Sequence, residues 1–569
     1  MPAAPRLTLL LAALLATQAQ AARTITQPPE SPLHAYVLGR YAAADDDVAL
    51  ASRFFDAARQ QQPNAMLDRK AFDLAVAAGN RDDAIALARA IALAGKGDAD
   101  TGLVLLAAAV QGRDARADKA ITAARTALAG AGYAVVAEPI IAAWQLFMRG
   151  DHAGGLARLD PAQFQGFARA YIAEQRAHML AADGQWQAAA KAYDELKSGT
   201  GPGISFLRVG RADALAMAGD VVAARAELQG DDATSRAALA RLNAGKRIGP
   251  LAPDARRGVA WLLARLAGDV ARERPVPLAL LLARSASFTA PDLAATWLIC
   301  GDILARGGQR SAALDAYGHI PVDDALFRLA RARRVEVLDA LGRSDEAGAL
   351  LAAATSAKDA IVEDWLLLGQ WHQRAGRFKA AAAAFGQAIA LAGTGPSRDV
   401  LGDDRSWSLY FQRGAMWEQA GDWPAAVADL REAARRAPEE AMVLNYLGYS
   451  LLDRGEQPDE ARRLIEKAAA LRPGDGGIVD SLGWSQFRAG RFDDAVTTLE
   501  RAWALTQDDP TVTDHLGDAL WRVGRRIEAR FRWRQALVLE PDTALKRQID
   551  AKLDIGLDAA LAMAEPPPR

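Results

Sequence analysis

The strongest constraint on this chain is a pattern that returns about every thirty-four residues. Three Leu-Gly steps end at Gly448, Gly483 and Gly517, which are 35 and 34 residues apart. Each step is followed by a second glycine seven residues later and then by an alanine. A unit of this length cannot bury its apolar face alone, so neighbouring copies have to stack on one another. The pattern therefore predicts a stacked repeat protein.

The same register extends towards the N-terminus. Turn glycines occur in two further series with the same spacing, at Gly308, Gly342 and Gly376 and at Gly150, Gly184 and Gly219. Weaker copies place glycines at 79 and 112, and about twelve units cover most of residues 32–541. Apolar residues recur with a helical period throughout these units, which argues against a domain built from strands.

The order of residues within each unit resembles the tetratricopeptide repeat family. A large residue precedes the small one, and a turn glycine, an alanine, a large residue, an alanine and a proline follow, as from Leu444 to Pro473. The resemblance implies an all-α fold, a right-handed superhelical α-solenoid of helix-turn-helix repeats. The arrangement also looks similar, especially towards the C-terminus, to exported, uncharacterised tetratricopeptide repeat proteins of Gram-negative bacteria.

Two interruptions divide the array. The turn glycines Gly376 and Gly421 are 45 residues apart, which indicates an insertion around 393–404. The register is also lost over 229–292, where we expect a linker from Asn243 to Arg257, a short apolar helix after Pro275 and Pro277, and a boundary near residue 250. The predicted organisation is a signal peptide at 1–21, an extended lead-in at 22–31, a degenerate N-terminal solenoid at 32–242, an irregular linker with helices at 243–292, a C-terminal array at 293–541, a capping helix at 542–564 and a tail at 565–569.

The predicted capping helix has two different faces. Leucines and one isoleucine recur at four-residue spacing, at 545, 549, 553, 557 and 561. The other face is charged, with Lys546, Arg547, Asp550, Lys552 and Asp558. A one-sided apolar stripe of this kind is typical of a helix that covers the exposed end of a solenoid.

The first 21 residues have the pattern of a secretory signal peptide. Arg6 precedes an apolar stretch from Leu7 to Ala16, and Ala19-Gln20-Ala21 supplies small residues at a cleavage site. The alternative is that this segment is not cleaved and anchors the protein in the membrane. No later segment is apolar over the length of a membrane span, so we expect an exported protein, in the periplasm, with no integral membrane segment after signal cleavage.

The composition and the absence of known motifs argue against a catalytic site, a metal site or a nucleic-acid-binding surface. The 68 basic and 70 acidic residues give a formal charge of -2, which supplies no general attraction for nucleic acid. One cysteine and six scattered histidines are a poor basis for a metal or redox site, and Cys300 occupies a repeat position that predicts a buried thiol. No phosphate-binding loop, zinc-protease motif or calcium loop occurs. We predict no catalytic residues, no cofactor and no metal.

The resemblance also implies which side chains face the concave groove of the last three repeats. In the family these lie three before, and one, four and five after, the small residue of the first helix. The positions selected here are Asn445, Tyr449, Asp480, Trp484, Phe487, Arg488, Asp514, Asp518, Trp521 and Arg522. Interleaved aromatic, arginine and carboxylate groups are typical of protein contacts. The alternatives are an ordinary solvated helix surface, or contact through the inserted loop at 393–404.

The expected function is therefore an exported, non-catalytic scaffold that binds protein or peptide partners. Some tetratricopeptide repeat proteins clamp a terminal carboxylate with lysine and asparagine. Only Asn445 matches that arrangement here, and Asp480 and Asp514 would repel a carboxylate. Two other functions stay open, an accessory or assembly factor of envelope polysaccharide or lipid export and a regulatory subunit of an enzyme.

Overall fold

The fold is described from a computed structural model, which covers residues 31–45, 47–196, 204–229, 232–272, 277–358, 360–393 and 406–564. Within these ranges there are 31 α-helices, one short 3-10 turn at Pro161–Gln163 and no β-strand. The structure confirms the all-α helical repeat architecture. The predicted signal peptide, most of the inserted loop and the C-terminal tail lie outside the described residues.

The chain separates into two compact units, residues 1–350 and 351–569. The helices of the first unit are α1 Pro32–Ala44, α2 Val48–Gln61, α3 Ala65–Ala78, α4 Arg81–Leu93, α5 Ala99–Ala109, α6 Ala115–Leu128, α7 Ala134–Met148, α8 His152–Arg158, α9 Gly166–Ala182, α10 Trp186–Asp194, α11 Ile204–Met217, α12 Val221–Glu227, α13 Ala233–Asn243, α14 Ala255–Val270, α15 Pro277–Thr289, α16 Ala294–Arg306, α17 Arg310–Gly318 and α18 Phe327–Ala340. Helix α19, Ser344–Thr355, crosses the division.

Helices α14 and α15 belong to the core of the first unit. They pack on α7 and α9 and on α3 and α5 respectively, although long stretches of sequence separate these elements. Trp261 of α14 is fully buried and donates to Glu174 of α9 over 2.6 Å. The boundary expected near residue 250 therefore does not coincide with the division of the chain, because helices on both sides of it share one core.

The carboxyl end of α15 is held by side chains from the preceding repeats. Arg81 donates to the Phe288 carbonyl over 3.2 Å, and Gln111 donates to the Thr289 carbonyl over 2.7 Å. These bonds satisfy two carbonyls that a helix end leaves without intrahelical partners. The first unit is thus closed by contacts that join distant parts of its sequence.

The second unit contains the clearest repeats. Its remaining helices are α20 Val362–Arg374, α21 Phe378–Ala392, α22 Trp407–Gln419, α23 Trp423–Arg436, α24 Ala441–Asp453, α25 Pro458–Leu471, α26 Gly476–Arg488, α27 Phe492–Leu505, α28 Pro510–Arg522, α29 Arg526–Val538, α30 Thr543–Ile555 and α31 Leu557–Ala564. From α20 to α29 they alternate as first and second helices of antiparallel pairs, each pair packed on the next.

Small residues set the distance within each pair. A Cβ placed on Gly483 would lie 2.6 Å from Leu499 Cγ, and one on Gly517 would lie 2.5 Å from Trp533 Cδ1. Both contacts are shorter than real side chains allow, so the first helix can approach the second this closely only with glycine. The turn glycines have the other role expected of them, because Gly490 has a φ of +75°, which suits glycine.

The C-terminal cap consists of two helices and differs from the single helix predicted at 542–564. Helix α30 ends at Ile555, and Gly556, with a φ of +84°, separates it from α31. A side chain at Gly556 would collide with Trp521, since its Cβ would lie 2.8 Å from Trp521 Cζ2. The break therefore lets the chain turn closely against α28, which a stripe of four-residue spacing does not reveal.

Candidate protein-binding groove

The first helices of successive repeats in the second unit enclose an open cleft of about 480 Å³. Its walls come from α22, α24 and α26 and from the start of α28. The lining residues are Glu418, Gln419, Asn445, Tyr446, Tyr449, Ser450, Asp453, Gly477, Asp480, Ser481, Asp509, Thr511 and Val512. Three of the ten predicted groove residues, Asn445, Tyr449 and Asp480, are among them.

Two of these residues offer hydrogen bonds to a ligand. The side-chain oxygen of Asn445 is buried and has no hydrogen-bond partner. Burial raises the pKa of Tyr449 to about 12, and the charges of Asp480 and Asp453 act in the same direction. The Tyr449 hydroxyl is therefore protonated at neutral pH and can donate. Amide and hydroxyl groups of this kind suit the main chain of an extended segment.

The cleft has an acidic lining. Glu418, Asp453, Asp480 and Asp509 contribute carboxylates, and no lysine or arginine is among the lining residues that the structure describes. Three of these carboxylates already have partners, since Asp480 lies 2.9 Å from Nδ1 of His515. Asp509 accepts from the Thr511 and Val512 amides at the start of α28, and Glu418 accepts from Ser450 over 3.2 Å. The lining nevertheless creates a negative potential in a concave site, which favours a cationic ligand.

Trp484 lies beside the cleft and is held by other rings. It stacks on Phe487 with centroids 4.7 Å apart, and on His515 with centroids 4.0 Å apart. His515 in turn lies 2.9 Å from Asp480 through Nδ1. Burial lowers the pKa of His515, but Asp480 and two further carboxylates outweigh it, so the pKa is raised. Trp484 and Phe487 thus support the cleft wall through packing.

The predicted groove residues of the last repeat face the cap. Lys552 of α30 donates to Asp514 over 2.6 Å and to Asp518 over 2.8 Å, and all three side chains are buried. Asp558 of α31 accepts from Trp521 over 3.2 Å and from Arg522 over 2.5 Å. The chain's own C-terminal helices therefore cover the inner face of α28.

The structure thus separates the ten predicted residues into distinct environments. Arg488 is exposed, and its charge opposes, without outweighing, the rise that burial gives to the pKa of Tyr449. Sequence reasoning missed His515 and Lys552, and it assigned Lys552 to the exposed face of the cap, whereas the side chain is only 5% exposed. The sequence does contain an indication that Lys552 is buried, because Lys552 follows the buried Ile549 by three residues and so lies on the same face of the helix.

Among the described residues, no group of three or more His, Cys, Asp or Glu side chains could hold a metal ion. Cys300 is fully buried, and burial raises the pKa of its thiol. None of the described helices is both long and apolar enough to cross a membrane.

One segment of the chain matches a known repeat. A model of the tetratricopeptide repeat matches residues 451–514. A TPR repeat-containing protein of Pseudomonas aeruginosa is 34% identical over 185 residues, which span 32% of this chain and 29% of that relative. Among solved structures, MamA AMB-1 is 21% identical with a TM-score of 0.25, covering 31% of this chain and 97% of its own. MamA from Desulfovibrio magneticus RS-1 is 18% identical with a TM-score of 0.27, and the match covers 32% of this chain and 94% of that MamA chain.

The matched segment of 451–514 contains α25 to α27 and seven of the thirteen residues that line the cleft, and it has the paired helices, packing glycines and left-handed turn glycines described above. Tetratricopeptide repeats generally mediate contacts between proteins and are generally non-catalytic. By the match over residues 451–514 and by the helix pairs that this sequence forms, the chain contains tetratricopeptide repeats.

Proposed function

We propose that this protein is an exported, non-catalytic scaffold whose acidic cleft binds an extended, basic segment of a partner protein. The observation that carries the proposal is the cleft itself, formed by three successive first helices and the start of a fourth. Stacked repeats create extended concave surfaces of this kind, and proteins use them for binding. The signal-like sequence from Arg6 to Ala21 supports export and a periplasmic location.

The chemistry of the cleft favours one class of partner. A lysine or arginine side chain in the cleft would meet the carboxylates of Asp453 and Asp480, and the Tyr449 hydroxyl could donate to a backbone carbonyl. A segment that ends in a carboxylate would be repelled by the same groups. The open part of the groove lies at α24 and α26, since α30 and α31 cover the inner face of α28.

The test uses the full chain and two decapeptides of matched length, one rich in arginine and one rich in glutamate. Fluorescence anisotropy should show binding of the arginine peptide only. Asp453→Lys should weaken that binding by roughly tenfold or more, because the exposed carboxylate becomes a like charge. The matched control is Asp459→Lys on α25, an exposed aspartate that does not line the cleft.

A second measurement locates the binding. A photoreactive phenylalanine analogue at Tyr449 should cross-link the arginine peptide, and the same analogue at the exposed Leu505 of α27 should not. Equal cross-linking at both positions, or binding that Asp453→Lys leaves unchanged, would show that the cleft is not the site.

A further inference from the structure

The outer face of α29 carries a row of exposed apolar side chains. Ile527, Phe531 and Val538 are 87%, 62% and 80% exposed. Their spacing of four and seven residues places them on one side of the helix. The opposite side supplies Ala529, Trp533 and Ala536 to the core, where all three are fully buried. The exposed row therefore makes no contribution to the core, and α29 has one apolar side that is buried and another that faces solvent.

The same helix is strongly basic. Residues 525–538 contain five arginines and one glutamate, at Arg525, Arg526, Arg530, Arg532, Arg534 and Glu528. Arg534 is exposed and lies within the apolar row, between Phe531 and Val538. The formal charge of the whole chain is -2, so this local excess is hidden in the total. A cationic, apolar surface is complementary to one that is anionic and apolar.

The charge and the small area of this apolar row on α29 indicate which kind of partner can bind it. Pairing with a second copy through the same face would bring the arginine-rich helices together, and like charges oppose that contact. Three side chains in single file also cannot supply the ~800 Å² per partner that a standard protein interface buries. A lipid surface needs neither a matching groove nor a large area, because apolar side chains enter the headgroup region while arginines reach the phosphates.

We propose that the outer face of α29 docks the protein on the surface of an anionic lipid bilayer. Ile527, Phe531 and Val538 enter the boundary between headgroups and acyl chains, and Arg534 pairs with lipid phosphates. The cleft is formed by first helices, whereas α29 is a second helix. This inference therefore does not rest on the peptide-binding function and is tested separately from it.

The experiment is co-sedimentation of the full chain with vesicles. Vesicles of phosphatidylcholine mixed with phosphatidylglycerol should sediment the protein, and vesicles of phosphatidylcholine alone should bind it roughly tenfold less or weaker still. Ile527→Ser with Phe531→Ser should reduce binding to the mixed vesicles by about tenfold or more, since the inserted apolar area is lost. Arg534→Glu should have an effect in the same direction, and high salt should reduce binding of the wild-type chain.

The matched control is Val222→Ser, because Val222 is 79% exposed on α12 of the first unit. It should leave vesicle binding unchanged. All substituted side chains are exposed, and circular dichroism verifies that each variant is folded. No binding of the wild-type chain to the mixed vesicles would overturn the proposal, as would equal binding of the Ile527→Ser/Phe531→Ser variant. Absence of vesicle binding together with a specific cross-link from position 531 to a protein would assign the face to a protein partner instead.

Discussion

The ammonium group of Lys552 lies 2.6 Å from Asp514 Oδ2, and both side chains are buried where α30 meets α28. Asp518, one turn further along α28, accepts a second bond from the same ammonium over 2.8 Å. Burial lowers the pKa of Lys552, but the two carboxylates outweigh it, so the pKa is raised. The cap is therefore attached to the last repeat by charge as well as by apolar contact.

Removal of this ammonium should be strongly destabilising. Lys552→Met leaves two buried carboxylates without a counter-charge, and breaking a buried ion pair in this way costs about 3–5 kcal/mol. Thermal unfolding should show a clearly lower midpoint. Adding Asp514→Asn and Asp518→Asn should recover part of the loss, because amides carry no charge.

The control for this prediction is Lys546→Met on the same helix. Lys546 lies 3.5 Å from Asp550, and both side chains are more than half exposed, so the pair contributes ~1 kcal/mol or less. If Lys552→Met and Lys546→Met lower the midpoint equally, the buried contact is not what holds the cap.

The stability of the second unit should fall as pH rises above neutrality. Asp480 and its neighbours raise the pKa of His515 above the ordinary value of 6.5. A histidine with a raised folded-state pKa contributes stability that is fully present below pH 6.5 and is lost as pH rises through the folded-state value. Denaturation of the wild-type chain at pH 6 and at a pH above 8 should reveal the difference.

His515→Gln should reduce this pH dependence and leave the part that comes from Asp518, whose pKa burial and the charge of Asp514 raise to about 7. His34→Gln is the control, because His34 is exposed near the start of α1. An unchanged pH dependence in His515→Gln would show that the histidine does not contribute to it.

Gly483 should not tolerate a bulky side chain. Gly483→Leu would force atoms against Leu499, whose Cγ and Cδ2 lie 2.6 and 2.7 Å from the position of a Cβ. Overpacking of this kind typically costs ~1–3 kcal/mol, measured as a lower unfolding midpoint. Gly474→Ala is the matched control, since nothing lies within 4 Å of a Cβ at that position. A midpoint unchanged by Gly483→Leu would mean that the two helices are further apart than described.

Truncation after Pro541 should make the protein associate. The cap buries Ile549 and Leu557 completely, in one cluster with Leu516, Leu520 and Trp533 of the last repeat. Its removal exposes a contiguous apolar surface and two uncompensated carboxylates. Light scattering should detect aggregates, whereas deletion of residues 565–569 alone should leave the protein monodisperse to the same degree as the full chain.

Most of the repeat geometry follows from the sequence because its causes are local. A glycine such as Gly483 is required wherever two helices of a pair approach closely, and Gly490 is required where the chain turns with positive φ. Both needs return once per repeat, so periodic spacing is enough to find them. The resemblance to the repeat family implied that Asn445, Tyr449 and Asp480 face the groove, and these three line the cleft.

Contacts made outside the repeat could not be predicted in the same way. The cover over Asp514 and Asp518 comes from α30, which is not a repeat helix, so no periodicity indicates where its lysine lies. Helix α15 packs on α3 although about two hundred residues separate them in sequence. Loss of register near residue 250 therefore marks a change in local pattern, but the three-dimensional core continues through it.

The ion pairs beneath the cap also constrain how this protein can lengthen by gene duplication. Between α22 and α27, each helix pair packs on the next, so a duplicated pair would have a repeat neighbour on both sides. A pair inserted between α29 and α30 would separate Asp514 and Asp518 from Lys552 and leave two carboxylates against an apolar surface. New repeats can thus be accepted in the interior of the array, while the last pair and its cap are inherited together.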